Sequence, residues 1–122
     1  KIPYYIALQD HPVFSIAGLF SIWKDRQTDV EYRTYTVLTT KANPYMEKIH
    51  NSKKRMPVIL PREYEKDWLN PNLNKDDVLA LCQPAEQTGM KGYTISKLIT
   101  SKKEETDVPK VIAPEVYAEI KD

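Results

Sequence analysis

His50 and the cations that follow it are the residues of this sequence best suited to acid–base and phosphate chemistry. A short predicted helix ends just before His50, and Lys53, Lys54 and Arg55 follow three to five positions later. The dipole of a helix C-terminus favours the imidazolium, whereas nearby cations oppose it, so we expect His50 to exchange a proton near neutral pH. It is therefore the candidate catalytic residue, a general acid or base. The alternative, a histidine with a purely structural role, stays open.

The same stretch offers a set of phosphate-binding groups. Arg55 has the planar fork that holds a phosphate through two hydrogen bonds, and Lys53 and Lys54 would act as point charges. Thr39, Thr40 and the amide of Asn51 add neutral donors. We predict that Arg55, Lys53, Lys54, Asn51 and Thr40 bind a phosphate backbone, with modest and salt-sensitive affinity. A solvated basic loop is the alternative interpretation.

Composition excludes several other classes of function. The chain has 122 residues and a formal net charge of +1, so only a local surface can attract a polyanion. No His, Cys and carboxylate residues have metal-ligand spacing, and no glycine-rich phosphate loop is present, so we predict neither a metal nor a cofactor. No apolar run approaches the roughly 20 residues of a membrane span. Cys82, the only cysteine, lies on an apolar helical face and is predicted to be a small core residue.

Alternating and helical patterns predict the elements that position these residues. Alternation and β-branched content predict strands over 4–8, 13–23, 31–40, 58–60 and 93–99, with a bulge or close backbone approach at Ala17 and Gly18. Helices are predicted after the Asn43-Pro44 cap, over 62–69 and 75–83, and from Pro114. A mobile loop is expected over 100–110. The predicted fold is α+β, a curved, mostly antiparallel, barrel-like sheet with short flanking helices.

Three blocks of the sequence resemble the SRAP family, the SOS-response-associated peptidases. They are Phe14–Trp23 (FSIAGLFSIW), Thr36–Asn43 (TVLTTKAN), and Ile49-His50-Asn51 followed by Arg55–Pro61 (RMPVILP). The likeness covers most of residues 3–99. In the family the histidine and its neighbour join Arg-Met-Pro directly, whereas here Ser52, Lys53 and Lys54 intervene.

The resemblance implies recognition of abasic sites in single-stranded DNA. In the family, an N-terminal cysteine condenses through its amine and thiol with the ring-opened sugar aldehyde, first to an imine and then to a thiazolidine crosslink. An asparagine and a glutamate from the earlier part of the fold assist. The resemblance assigns the proton transfers to His50 and a phosphate contact to Arg55.

The resemblance also sets expectations for the whole protein. Residues 1–122 would be the C-terminal portion of a single SRAP domain, with the family's glutamate just before Lys1 and its cysteine further upstream. The complete protein would be a crosslinking enzyme with lyase and self-processing peptidase activity, cytoplasmic and associated with a bacterial nucleoid. This portion alone is expected not to crosslink. Two alternatives stay open, a non-covalent single-stranded DNA-binding module and a peptidase limited to self-processing.

Overall fold

Short strands and shorter helices make up the described part of the chain. The computed structural model describes residues 1–49, 52–86 and 89–120. The strands are β1 (Tyr4–Leu8), β2 (Ser15–Ile16), β3 (Gly18–Lys24), β4 (Glu31–Val37), β5 (Thr39–Lys41), β6 (Arg55–Pro57), β7 (Ile59–Leu60) and β8 (Met90–Thr94). The α-helices are α1 (Pro44–Ile49), α2 (Glu65–Trp68) and α3 (Lys75–Leu81), with 3-10 helices at Arg62–Tyr64, Lys97–Thr100 and Pro109–Ile112. The predicted α+β class with antiparallel strands is confirmed.

The chain divides into two compact units. One combines Lys1–Pro12 with the C-terminal segment that begins at Thr88, and the other runs from Val13 to Gln87. In the first unit, β1 pairs antiparallel with β8, and the rings of the cross-strand partners Tyr5 and Tyr93 stack with centroids 5.3 Å apart. The end of the chain packs onto this ribbon through a β-bridge between Ile95 and Pro114.

In the second unit, three antiparallel ribbons meet at a junction of three backbone hydrogen bonds. The ribbons are β2–β7, β3–β4 and β5–β6. Between consecutive strands lie Ala17, Leu38 and Val58, one residue at each break. Ala17 N–H donates to Val58 O (2.8 Å), Val58 N–H to Leu38 O (3.0 Å), and Leu38 N–H to Ala17 O (3.0 Å). The three ribbons therefore meet, and their strands change partners, at this junction.

The core of this unit is built around the junction. Ala17, Val58 and Leu60 are buried together, with exposed fractions of 1%, 0% and 5%. Leu38, Trp68 and Cys82 pack against them from the side. Trp68 also donates its indole N–H to the carbonyl of Gly18 at 3.2 Å, which ties α2 to the start of β3. Apolar burial and backbone hydrogen bonding thus stabilise the same point.

Several boundaries differ from the sequence-based prediction. The strand predicted over 13–23 begins only at Ser15 and breaks at Ala17, and the strand predicted over 31–40 breaks at Leu38. The helix predicted over 62–69 is a 3-10 turn followed by the four-residue α2, and the helix predicted over 75–83 ends at Leu81.

The last predicted strand and the C-terminal helix are corrected further. A strand over 93–99 is wrong beyond Thr94, because the hydroxyl of Ser96 accepts from the N–H of Leu98 and starts a 3-10 helix. Helix initiation at Pro114 is also wrong. Pro114 lies in the bridge to Ile95, and the 3-10 helix of this region precedes it.

Gly18 is required by the close approach of β3 to β4, which confirms the predicted backbone contact. A Cβ atom at this position would lie 2.8 Å from the backbone oxygen of Thr36, closer than a side chain can approach without moving a strand. Gly18→Ala should therefore destabilise the fold by about 1–3 kcal/mol, measured by urea unfolding. At Gly89, where nothing lies within 4 Å of the added Cβ, Ala should change stability by less than about 0.5 kcal/mol. Equal effects at the two sites would contradict this account.

Candidate nucleic-acid interface

The β5–β6 ribbon carries the cations of the candidate site on one face. Lys41 is the cross-strand partner of Arg55, and Thr40 is the partner of Met56. Directly opposed residues share a face and neighbouring residues alternate. Thr39, Lys41 and Arg55 therefore lie on the exposed face, whereas Met56 is buried on the inner one.

Arg55 is held in place by Thr39. Its Nε donates to Thr39 Oγ1 at 2.9 Å, and its Nη2 donates to the same hydroxyl at 2.6 Å and to the Thr39 carbonyl at 2.7 Å. Within residues 1–49, 52–86 and 89–120, no carboxylate forms an ion pair with this guanidinium. Thr39 thus holds the guanidinium of Arg55 in one orientation at the surface, and no carboxylate of the described residues neutralises its charge.

The predicted lysines have unequal environments. Lys53 is exposed. Lys54 Nζ lies 3.4 Å from Glu47 Oε1, and its backbone has φ = 49°, in the left-handed region that non-glycine residues seldom adopt. The carbonyl of Lys54 also accepts from Ala42 N–H at 2.9 Å. Lys54 therefore closes the turn that leads into β6, and Lys53 keeps its charge available to a ligand.

Predicted site residues fall into three groups. The structure brings Arg55, Lys53 and Lys54 to one short stretch at the start of β6. Thr40 is half-buried on the opposite face of the ribbon from Arg55, and the hydroxyl that contacts the arginine belongs to Thr39. His50 and Asn51 lie outside the described residues.

The helix that leads to His50 is fixed by a buried asparagine, as the Asn43-Pro44 pair predicts. Asn43 is 6% exposed, and its Oδ1 accepts from the N–H of Met46 at 2.9 Å at the first turn of α1. Its Nδ2 donates to the carbonyl of Ala85 at 2.8 Å. One side chain thus caps the helix and anchors it to the segment after α3, which fixes the direction of α1.

Other chemistry finds little support in the described residues. They contain no group of three His, Cys, Asp or Glu side chains that could hold a metal ion. Cys82 directly follows α3 and packs against the core, as predicted, and burial raises the pKa of its thiol, which disfavours the nucleophilic thiolate. No helix among residues 1–49, 52–86 and 89–120 is long and apolar enough to cross a membrane.

Comparison with known proteins decides the family. Residues 1–102 match the family described as SOS response associated peptidase, SRAP. This chain belongs to the SRAP family. The resemblance noted in its three sequence blocks is thereby confirmed.

The curated relatives that the chain matches are about twice as long as the chain. It is 43% identical over 104 residues to the abasic site processing protein YoqW of Bacillus subtilis (strain 168), covering 84% of this chain and 45% of YoqW. It is 40% identical over 104 residues to the abasic site processing protein YoaM of the same strain, covering 84% of this chain and 44% of YoaM. The chain therefore spans less than half the length of these SRAP proteins.

Solved structures give the same picture. A protein from Bacteroides thetaiotaomicron superposes with a TM-score of 0.86 at 37% identity, covering 95% of this chain and 49% of that one. A protein from Bordetella bronchiseptica superposes with a TM-score of 0.68 at 25% identity, covering 78% of this chain and 46% of that one. Nearly all of this SRAP chain thus corresponds to about half of a solved fold.

Sequence reasoning missed Lys41 and named Thr39 only as a neutral donor, not as a site residue. Thr39 orients Arg55, and Lys41 lies opposite it. The pairing of β5 with β6 is the signal that could have revealed their roles, because the register of two paired strands determines which residues share a face. Like charges directly opposed across a ribbon destabilise it unless an anion lies between them. The Lys41–Arg55 pair therefore favours a bound anion.

Proposed function

We propose that this SRAP chain supplies the DNA-contacting portion of a protein that captures abasic sites in single-stranded DNA. The observation that carries the proposal is the guanidinium of Arg55, oriented by Thr39 and free of a carboxylate partner in the described residues. The names of YoqW and YoaM, abasic site processing proteins, supply the substrate class. The cytoplasm, at the nucleoid, is the location that such a substrate requires.

The charge distribution favours contact with the phosphate backbone. Three exposed cations lie close together, since Lys41 is the cross-strand partner of Arg55 and Lys53 lies two residues before Arg55 in the sequence. The whole chain, in contrast, has a net charge of only +1. Such a local cluster can hold a polyanion at one place although the chain as a whole has almost no net charge. With about three phosphate contacts to a single strand, the slope of log affinity against log salt should be about −2.

The covalent step requires a group that the described cysteine cannot provide. An amine attacks the C1 aldehyde of the opened sugar and releases water to give an imine. The thiol of the same residue then adds to the imine carbon and its proton passes to nitrogen, which closes the thiazolidine. Cys82 lacks a free amine, because its nitrogen is a peptide nitrogen that donates to Leu79 O at 3.1 Å. In our proposal an N-terminal cysteine outside these 122 residues performs the reaction.

His50 is the proposed proton-transfer residue of that reaction. It follows the last residue of α1 in the sequence and precedes Lys53 by three positions. Opening the abasic sugar requires a proton to leave the C1 hydroxyl and another to reach the ring oxygen, and imidazole serves both transfers near neutral pH. Lyase and self-processing activities of the complete protein belong to the same proposal.

Replacing Arg55 should weaken the binding of single-stranded DNA and make that binding less dependent on salt concentration. For Arg55→Ala, we expect weaker binding to a single-stranded oligonucleotide with one abasic site, and a salt slope shallower by about 0.7. Fluorescence anisotropy from low to moderate salt measures both quantities. Arg26→Ala, which removes another exposed arginine, in the loop between β3 and β4, is the matched control and should leave the slope unchanged. Identical slopes for both variants and the unchanged protein would contradict a phosphate contact by Arg55.

Replacing His50 should slow the formation of the crosslink without changing the non-covalent affinity for DNA. The complete gene product is incubated with the same oligonucleotide, and a band that survives denaturation is followed over time on a gel. His50→Gln should slow its formation by about 100-fold or more, with unchanged non-covalent affinity. His11→Gln, at an exposed turn, is the matched control. Unaltered kinetics in His50→Gln would refute the assigned role, and native binding without any resistant band would identify a non-covalent module.

A further inference from the structure

Met56 is the buried neighbour of the cation on which the proposed function depends. The side chain of Arg55 lies on the exposed face of the β5–β6 ribbon, and that of Met56 lies on the inner face, where the residue is only 1% exposed. The buried side chain carries a thioether, whose sulfur is a weak hydrogen-bond acceptor. A leucine would fill a similar volume, so packing alone does not require the sulfur.

The sulfur of Met56 accepts a hydrogen bond from a buried backbone amide. The N–H of Asn43 donates to Met56 Sδ, and the nitrogen lies 3.4 Å from the sulfur. Asn43 is only 6% exposed, so water cannot readily take the place of the sulfur. A buried N–H that loses its acceptor costs a free energy comparable to that of a lost hydrogen bond. The thioether thus has a polar role that an alkyl side chain cannot fill.

Asn43 transmits this contact to α1. Its carbonyl accepts from the N–H of Glu47 at 2.9 Å, and its Oδ1 accepts from the N–H of Met46 at 2.9 Å. Both bonds belong to the first turn of the helix, so the backbone of Asn43 cannot shift without moving that turn. The sulfur that holds the N–H of Asn43 therefore also holds the start of α1.

The segment that leads into α1 is bonded on both sides of Arg55. Ala42 donates its N–H to the carbonyl of Lys54 at 2.9 Å, and the next N–H along the chain, that of Asn43, donates to Met56 Sδ. Lys54 directly precedes Arg55, and Met56 directly follows it. These two bonds set the distance between the start of the helix and the strand segment that carries the cation.

We infer that Met56 is a positioning residue, whose sulfur fixes the start of α1 relative to Arg55 and with it the direction of the helix that leads to His50. The inference rests on the proposed function, in which Arg55 holds a phosphate and His50 transfers protons at the neighbouring sugar. Reaction rates depend steeply on such geometry, because a misplacement of about 1 Å can cost on the order of 100-fold. Met56 is buried, so it acts on the reaction only through the helix.

The test replaces the sulfur by a methylene group in the complete gene product. Met56→norleucine, introduced at this position alone, keeps the length of the side chain and removes the acceptor. Crosslink formation with the oligonucleotide that carries one abasic site should slow by about tenfold. The non-covalent affinity and its salt slope should not change, because Thr39 still orients Arg55. Denaturing gels give the rate, and fluorescence anisotropy gives the affinity.

Amide hydrogen exchange reports the bond itself. The Asn43 amide should exchange slowly in the unchanged protein and at least about tenfold faster in Met56→norleucine. The matched control is Met90→norleucine, the same change at a half-buried methionine of β8 in the other unit, which should alter neither quantity. Protein that contains selenomethionine in place of methionine keeps an acceptor at position 56 and should react at the unchanged rate.

Four results would overturn the inference. Crosslinking by Met56→norleucine at the unchanged rate would show that the sulfur does not position the helix. Equal losses of rate and affinity would assign the effect to DNA binding. Rapid exchange of the Asn43 amide in the unchanged protein would contradict the hydrogen bond without any substitution. In these three cases the unchanged protein still crosslinks, whereas the absence of a resistant band from it would overturn the proposed function and the positioning role together.

Discussion

Three backbone hydrogen bonds at Ala17, Leu38 and Val58 constrain the rest of the second unit. Each of these residues donates to one of the other two and accepts from the remaining one, so the three bonds close a ring. Their backbone groups would be costly to bury without partners, and the ring satisfies one donor and one acceptor of each residue. Since Ala17 and Val58 are almost fully buried, water cannot readily replace these bonds.

The candidate interface depends on this junction. Thr39 directly follows Leu38, and Pro57 directly precedes Val58, so the β5–β6 ribbon starts at the ring and extends away from it. Its register sets Arg55 against Lys41 and brings its guanidinium to Thr39. A shift of one residue would turn Arg55 to the inner face and Met56 to the solvent. The position of the oriented cation is therefore a consequence of backbone geometry more than of the basic loop.

Sequence patterns predicted the features that depend on local chemistry. Alternation located most of the strands, and the Asn43-Pro44 pair located the start of α1. The breaks at Leu38 and Val58 escaped prediction, because both residues have typical strand side chains and their role rests on non-local backbone bonds. The same limit explains why the sequence indicated both Thr39 and Thr40 as donors but only Thr40 as a site residue. Which threonine shares the face of Arg55 depends on the pairing of two strands that are 13 residues apart, and no local pattern reports it.

Similarly, a strand pattern over β3 and β4 does not report burial, and the structure leaves many of their apolar residues exposed. The composition of a strand predicts that its side chains will be covered, but it does not identify what covers them. Two ribbons thus extend from the same junction. The β3–β4 ribbon exposes the apolar side chains of Phe20 and Tyr35, and the β5–β6 ribbon exposes the cation of Arg55.

Native-state hydrogen exchange at the amides of Ala17, Leu38 and Val58 tests the central role of the junction most directly. If the ring constrains the unit, the three amides should share one free energy of opening, equal to that of global unfolding and above that of the Phe20 amide in the hairpin. Exchange of the three at unrelated rates, with free energies no higher than that of Phe20, would show that the strands are held independently and contradict this account.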